Sequence, residues 1–246
     1  MSSRFDSEAE VLKLARLLDV DPSTLAYLEK VDAESLRTLR EGVTDMLFAI
    51  GGGLMSRLGN AAKRLPTPLV ASICERAFGP MLAARAAAST DPAKAVEIAQ
   101  RLSPDFLTEV TIQLDPRRVA EIVAGVPTSL VTPVAAELGT RREYVTMGRF
   151  LTFLSPEALS AALDVLDDEA VLRTAFVLED KASVDKAIAA LSPERLRGVL
   201  RCASEDALWP ELLSLREHLS AEHLAGIETA VDEIGLRSEY NAAAGA

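Results

Sequence analysis

What this sequence has little of constrains it before anything present does. Aromatic residues make up 4% of its 246 residues, with a single tryptophan. The core must then be packed by Leu, Val, Ile and Ala. Ala and Leu favour helix, and the β-branched and aromatic enrichment of a sheet protein is missing. Only two cysteines occur, Cys74 and Cys202, which excludes a disulfide framework. Both fall in helix-like patterns and read as reduced, buried thiols of a cytoplasmic protein. No run approaches the 20 or so apolar residues of a membrane span. The most apolar stretch, 43–58, carries Asp45, Arg57 and three consecutive glycines, so no transmembrane segment is predicted. The first residues lack a cationic start followed by an apolar run, so no signal peptide is predicted either. Positive charge is also scarce: 26 Lys and Arg stand against 37 Asp and Glu, a net charge of −11. No basic stripe interleaves with aromatics, so nucleic acid is not an expected partner.

Catalytic signatures are missing as well. Gly51-Gly52-Gly53 is not followed by Lys and a hydroxyl residue, as a phosphate-binding loop requires, and no strand precedes it. No Gly-x-Ser-x-Gly elbow occurs. The two histidines, His218 and His223, stand beside Glu217 and Glu222, but their spacing of five is not the spacing of four that puts two ligands on one helical face. They read as solvent-exposed residues at helix ends. Asp167-Asp168 and Glu205-Asp206 sit at helix starts, where capping accounts for them. The expectation is therefore a non-enzymatic protein without cofactor or metal.

What is present is a rhythm. Asp91-Pro92, Ser103-Pro104 and Asp115-Pro116 stand twelve apart, and Val126-Pro127 falls on the next beat. Ser155-Pro156, Asp167, Asp180 and Ser192-Pro193 continue it. Ser or Asp accepts a bond from an unpaired N–H of the first helical turn, and proline there has no N–H to leave unpaired. Four, seven, eight and eleven residues beyond several of these starts stand apolar residues. From Pro127 they are Val131, Val134, Ala135 and Leu138; from Ser155, Leu159, Ala162, Leu163 and Leu166; from Ser192, Leu196, Val199, Leu200 and Ala203. From Ser7 the same count gives Val11, Leu14, Ala15 and Leu18. This is the spacing of one apolar helical face. The chain is predicted to be all-α, with helices of about ten residues. Isolated helices so short are unstable, so each must stack on its neighbours. A compact bundle and a superhelical stack of helix pairs both satisfy that need.

Residues 154–170, Leu-Ser-Pro-Glu-Ala-Leu-Ser-Ala-Ala-Leu-Asp-Val-Leu-Asp-Asp-Glu-Ala, resemble the short-helix repeats of the cytosolic N-terminal domain of MgtE-type magnesium transporters. The superhelical domains of the flagellar switch protein FliG look similar. The resemblance covers about residues 91–203 and rests on cap spacing and apolar period. It implies a fold used for regulation and docking. No transmembrane region or nucleotide-sensing module accompanies it here, so neither the transporter's gating role nor any of its residues carries over.

Residues 1–90 form an irregular helical region, 91–235 the repeat region, and 236–246 a small polar tail expected to fray, all within one continuous domain. Within 1–90 the stretch 46–90 holds Arg57, Lys63, Arg64, Arg76 and Arg85 against Glu75 alone, while residues 155–246 hold 18 acidic and 8 basic residues. The basic, glycine-broken stretch reads either as a buried helical hairpin with solvated cations or as a site for an apolar anion. In the second reading Gly51, Gly52 and Gly53 open the backbone and the five cations meet a carboxylate or phosphate. Trp209 anchors a helix over 204–219 or, alternatively, meets a partner. Two functions follow from these features. The first is a helical-repeat scaffold docking a protein partner. The second is an intracellular carrier of a fatty acid or other lipid.

Overall fold

The computed structural model describes residues 2–49, 57, 64–178, 180–181 and 183–245. Gly51, Gly52, Gly53 and Lys63 lie outside the described residues. Among the described residues every regular element is helical and no strand occurs. In chain order the α-helices are α1 (Ser2–Leu18), α2 (Ala33–Ala49), α3 (Thr67–Ile73), α4 (Gly79–Ala87), α5 (Pro92–Ala99) and α6 (Pro104–Gln113). They continue with α7 (Ala120–Ala124), α8 (Thr128–Thr140), α9 (Tyr144–Leu151), α10 (Pro156–Val165), α11 (Asp168–Phe176) and α12 (Ser183–Ala189). The last are α13 (Pro193–Glu205), α14 (Trp209–Ser214), α15 (Ala221–Glu233) and α16 (Arg237–Ala244). A nine-residue 3-10 helix, Pro22–Lys30, joins α1 to α2.

The capping chemistry read from the sequence is in place. Asp91 accepts from the Lys94 N–H at 3.2 Å, Asp167 from Ala170 at 2.7 Å and Ser192 from Arg195 at 3.2 Å. The apolar count is buried as well: Val131, Val134, Ala135 and Leu138 all lie in the core, as do Leu159, Ala162, Leu163 and Leu166. Three segments differ from expectation. The 204–219 helix is broken, because Ala207 adopts a left-handed φ of 56° and the Leu208 N–H returns to the Ala203 carbonyl at 2.9 Å. Pro210 then starts α14, as proline does at a first turn. Pro66-Thr67-Pro68 opens α3, with proline in its first turn. The stretch after it is interrupted by a π-helical turn, Cys74–Phe78, and by Gly79, whose φ of 72° suits glycine. The tail does not fray but forms α16, anchored by Tyr240 at 2% exposure.

The chain divides into two compact units. One comprises residues 42–146 and 153–165; the other comprises 1–41, 147–152 and 166–246. In the first unit alternate helices pack: α4 on α6, α6 on α8, α8 on α10, and likewise α3 on α5 and α5 on α7. Val70, Ala71, Cys74, Ala83, Ala84, Ile98 and Val110 form an apolar cluster in it. In the second unit α11 packs on α13, α13 on α15 and α14 on α16, so the same alternation recurs. Here α9 approaches the chain so closely at Gly148 that a Cβ would stand 2.9 Å from the Val177 carbonyl oxygen. Helix α1 packs against the 3-10 helix and α14, and Val11, Leu14, Ala15, Leu25 and Leu36 make a shared cluster.

Candidate functional site around the first helix

Helix α1 carries two kinds of surface. Val11, Leu14 and Ala15 give it an apolar stripe, as the period predicts. Asp6, Glu10 and Lys13 fall at spacings of four and three and so share the opposite face. That face is not solvated: Glu10 and Lys13 are each 2% exposed. Lys13 Nζ donates to Glu10 Oε1 at 2.9 Å and to the Leu178 carbonyl at 3.3 Å. From α2, Arg40 Nε donates to Glu10 Oε2 at 3.0 Å, and Arg37 reaches Oε1 at 3.5 Å from a half-exposed position. Charges buried this deeply persist only when paired, since each loses its hydration.

Lys181 extends the cluster. It donates to the Phe176 carbonyl, and its ammonium lies 5.2 Å from the centre of the Phe176 ring. Burial pushes this lysine down to about 8, and neighbouring Lys13 pushes the same way while Asp6 and Glu10 oppose it. Four cations thus surround two carboxylates among the described residues. On another side of α1, burial raises the Glu8 carboxyl, helped by Glu29 and Glu211.

Asp6 also meets the 3-10 turn Arg216–His218. Oxygens of Asp6 and Glu217 and a ring nitrogen of His218 all lie within 4.8 Å of one another. His218 Nε2 is 3.4 Å from Glu217 Oε1; it is shielded from solvent and has no hydrogen-bond partner. His223 has a different role. Its Nδ1 lies 2.6 Å from Asp185 Oδ1, which also accepts the Ser220 N–H at 2.8 Å, so the pair braces the start of α15. Neither histidine is the solvated helix-end residue expected, since each side chain is 25% exposed. Long-range packing against Asp6 and Asp185 buries them, and no local pattern announces it.

The same α1–α2 region exposes large apolar side chains. Tyr27 is 68% exposed, Leu39 49% and Leu18 44%, with Val20 and Val31 also open. Asp19, Asp21, Asp32 and Glu34 are exposed among them. Leu18 was expected on the buried face, but it is the last residue of its helix, where the chain turns at Asp19.

The residues singled out from the sequence fall elsewhere. Arg57, Arg64 and Arg76 are exposed, and Arg85 donates to the Leu47 carbonyl at 3.3 Å. Arg57, Arg64, Arg76 and Arg85 are not joined by any hydrogen bond or ion pair among the described residues. Trp209 lies in the core at 7% exposure, edge-on to Tyr240 with ring centres 5.7 Å apart. The thiols are free and buried; burial, with the Asp206 carboxylate beside it, pushes Cys202 up to about 12. No helix among the described residues is long and apolar enough to cross a membrane. The charged face of α1 escaped the sequence reading because, on a helix taken alone, Asp6, Glu10 and Lys13 look like its solvent side. Their partners come from 27 to about 210 residues away in the chain. No family model, no curated protein and no solved structure matches this chain.

Proposed function

We propose that this chain is a non-enzymatic helical-repeat scaffold that docks a protein partner through the exposed surface of the 18–39 segment. The observation that carries the reading is the set Leu18, Val20, Tyr27, Val31 and Leu39, five large apolar side chains left open on elements that share one core cluster. Apolar surface grouped in this way is costly to leave in water and marks interaction sites. Tyrosine suits such a surface because it offers area with few rotatable bonds. The exposed acids Asp19, Asp21, Asp32 and Glu34 share the 18–39 segment with the set, against Lys30 and Arg37. The complementary occupant is a basic, amphipathic segment of another protein, with apolar anchors for Tyr27 and Leu39 and cations for these acids. The alternate stacking of short helices supports the scaffold role, since it presents outer surfaces without enclosing a catalytic loop cluster. The carrier reading draws less support: of its described cations Arg57, Arg64 and Arg76 face solvent, and the half-buried Arg85 donates to the Leu47 carbonyl.

The test uses the full chain and a helical peptide with a leucine face and a lysine face. Fluorescence anisotropy should rise on mixing, and the affinity should weaken with salt. It should fall at least tenfold for the Tyr27→Ser/Leu39→Ser variant, whose fold is checked by circular dichroism. A peptide with serine in place of leucine should bind poorly. Equal binding to wild type and variant, or none to either, refutes the assignment.

A further inference from the structure

We infer that Asp6, Glu217 and His218 form a site for one divalent transition-metal ion, zinc by preference. The inference is independent of the docking surface. Three lone-pair donors from two remote segments converge there, within 4.8 Å of one another. Two features point to a cation beyond the convergence itself. His218 Nε2 is withdrawn from solvent and has no hydrogen-bond partner. A buried ring nitrogen left unpaired carries the full cost of its lost hydration, and a metal ion removes that cost. The second feature is a distance. Zinc holds nitrogen and oxygen ligands at about 2.0–2.2 Å, and a tetrahedral angle then sets the ligands about 3.4 Å apart. His218 Nε2 and Glu217 Oε1 are 3.4 Å apart. Magnesium favours oxygen ligands over imidazole.

The donor set fixes further properties. Imidazole with two carboxylates is hard enough for zinc and manganese and lacks the thiolate that selects copper(I). Three protein ligands leave a fourth position for water, the arrangement of open zinc sites. The bound ion would tie the 216–218 turn to the first turns of α1 and would bring a positive charge beside two carboxylates that now repel each other. Lys181 also faces Asp6, and its ammonium competes with the ion for that carboxylate.

Isothermal titration of the full, tag-free chain with zinc chloride tests the assignment, with cobalt(II) absorption as a geometric readout. Wild type should bind one equivalent, gain thermal stability on binding and show the intense visible bands of tetrahedral cobalt. His218→Ala and Asp6→Asn should each weaken binding at least tenfold. His223→Ala, which removes a histidine of equal exposure held by Asp185, should bind as wild type does. Circular dichroism of each apo variant separates lost ligation from lost folding. Should a ligand variant fail to fold, Glu217→Gln, altered at an exposed residue, takes its place. The assignment is overturned by the absence of saturable binding, by affinity indifferent to His218→Ala, or by loss in His223→Ala instead.

Discussion

Replacing Gly148 by alanine should destabilise this protein, although Gly-to-Ala changes inside helices ordinarily do the reverse. Gly148 lies within α9, where alanine's better helix propensity alone would add about 1 kcal/mol. A Cβ there would stand 2.9 Å from the Val177 carbonyl oxygen and 3.0 Å from a methyl carbon of the same residue. The oxygen belongs to the backbone, so it cannot swing away as a side-chain tip would. Either α9 or the 176–178 segment must shift, and overpacking of this kind costs about 1–3 kcal/mol. Propensity and clash together leave a net change between about zero and a loss of about 2 kcal/mol, or a melting temperature lower by up to about 8 °C for a chain of this size. Gly226, within α15, supplies the control: nothing lies within 4 Å of its would-be Cβ. Gly226→Ala should raise stability by about 0.5–1 kcal/mol, the propensity gain without the clash. Thermal and urea unfolding followed by circular dichroism read both variants. If Gly148→Ala gains stability as Gly226→Ala does, the close approach of α9 to Val177 is wrong.

Other perturbations follow from the same structure. Glu10→Gln leaves Lys13 and Arg40 without their shared carboxylate and should cost about 3–5 kcal/mol in urea unfolding; a loss below about 1 kcal/mol would show that the cluster is not held through Glu10. Ala207→Gly relieves a left-handed residue at an exposed helix end and should raise stability by about 1 kcal/mol, seen as a higher melting temperature. Cys202, pushed up to about 12, should react with a disulfide reagent at pH 8 about a thousandfold more slowly in the native protein than in urea. The sign is fixed by the thiolate, which is the reactive form and is scarcer in the fold than in the unfolded chain. Its rate should climb with pH well past 9, whereas an early plateau contradicts the burial.

Legibility in the sequence tracked the range of the interactions. Helix starts at Asp91, Asp167 and Ser192 were readable because a cap bonds a backbone group only three residues on. The apolar faces of α8 and α10 were readable because the period repeats within one helix. The break at Ala207 was less so, since nothing about alanine announces a left-handed φ; Pro210 was the available clue. The charged face of α1 was hidden for a different reason. Sequence shows that Glu10 and Lys13 are polar, and a polar face ordinarily meets water. Among the described residues Arg40, Leu178 and Lys181 help make it an interior, and their arrival is decided by tertiary packing. Asp6 meeting His218 is hidden in the same way. The lipid-carrier expectation rests on composition over 46–90, where residues 50–56 and 58–63 lie outside the described residues; of its described cations Arg57, Arg64 and Arg76 are exposed and Arg85 is half-buried.

The division of the chain also sets an order of assembly. One unit gathers residues 1–41 with 166–246, whereas the other draws almost wholly on 42–165. During synthesis α1 emerges first and must wait for α11 to α16, on the order of ten seconds at ordinary elongation rates. Throughout that interval Val11, Leu14 and Leu36 have only their near neighbours to pack on. Lys13 lacks its Leu178 carbonyl, and Asp6 lacks the 216–218 turn. The charged stripe keeps one side of the waiting helix hydrated until the later segments close over it. The buried ions of the finished unit are, in the nascent chain, its solubilising surface.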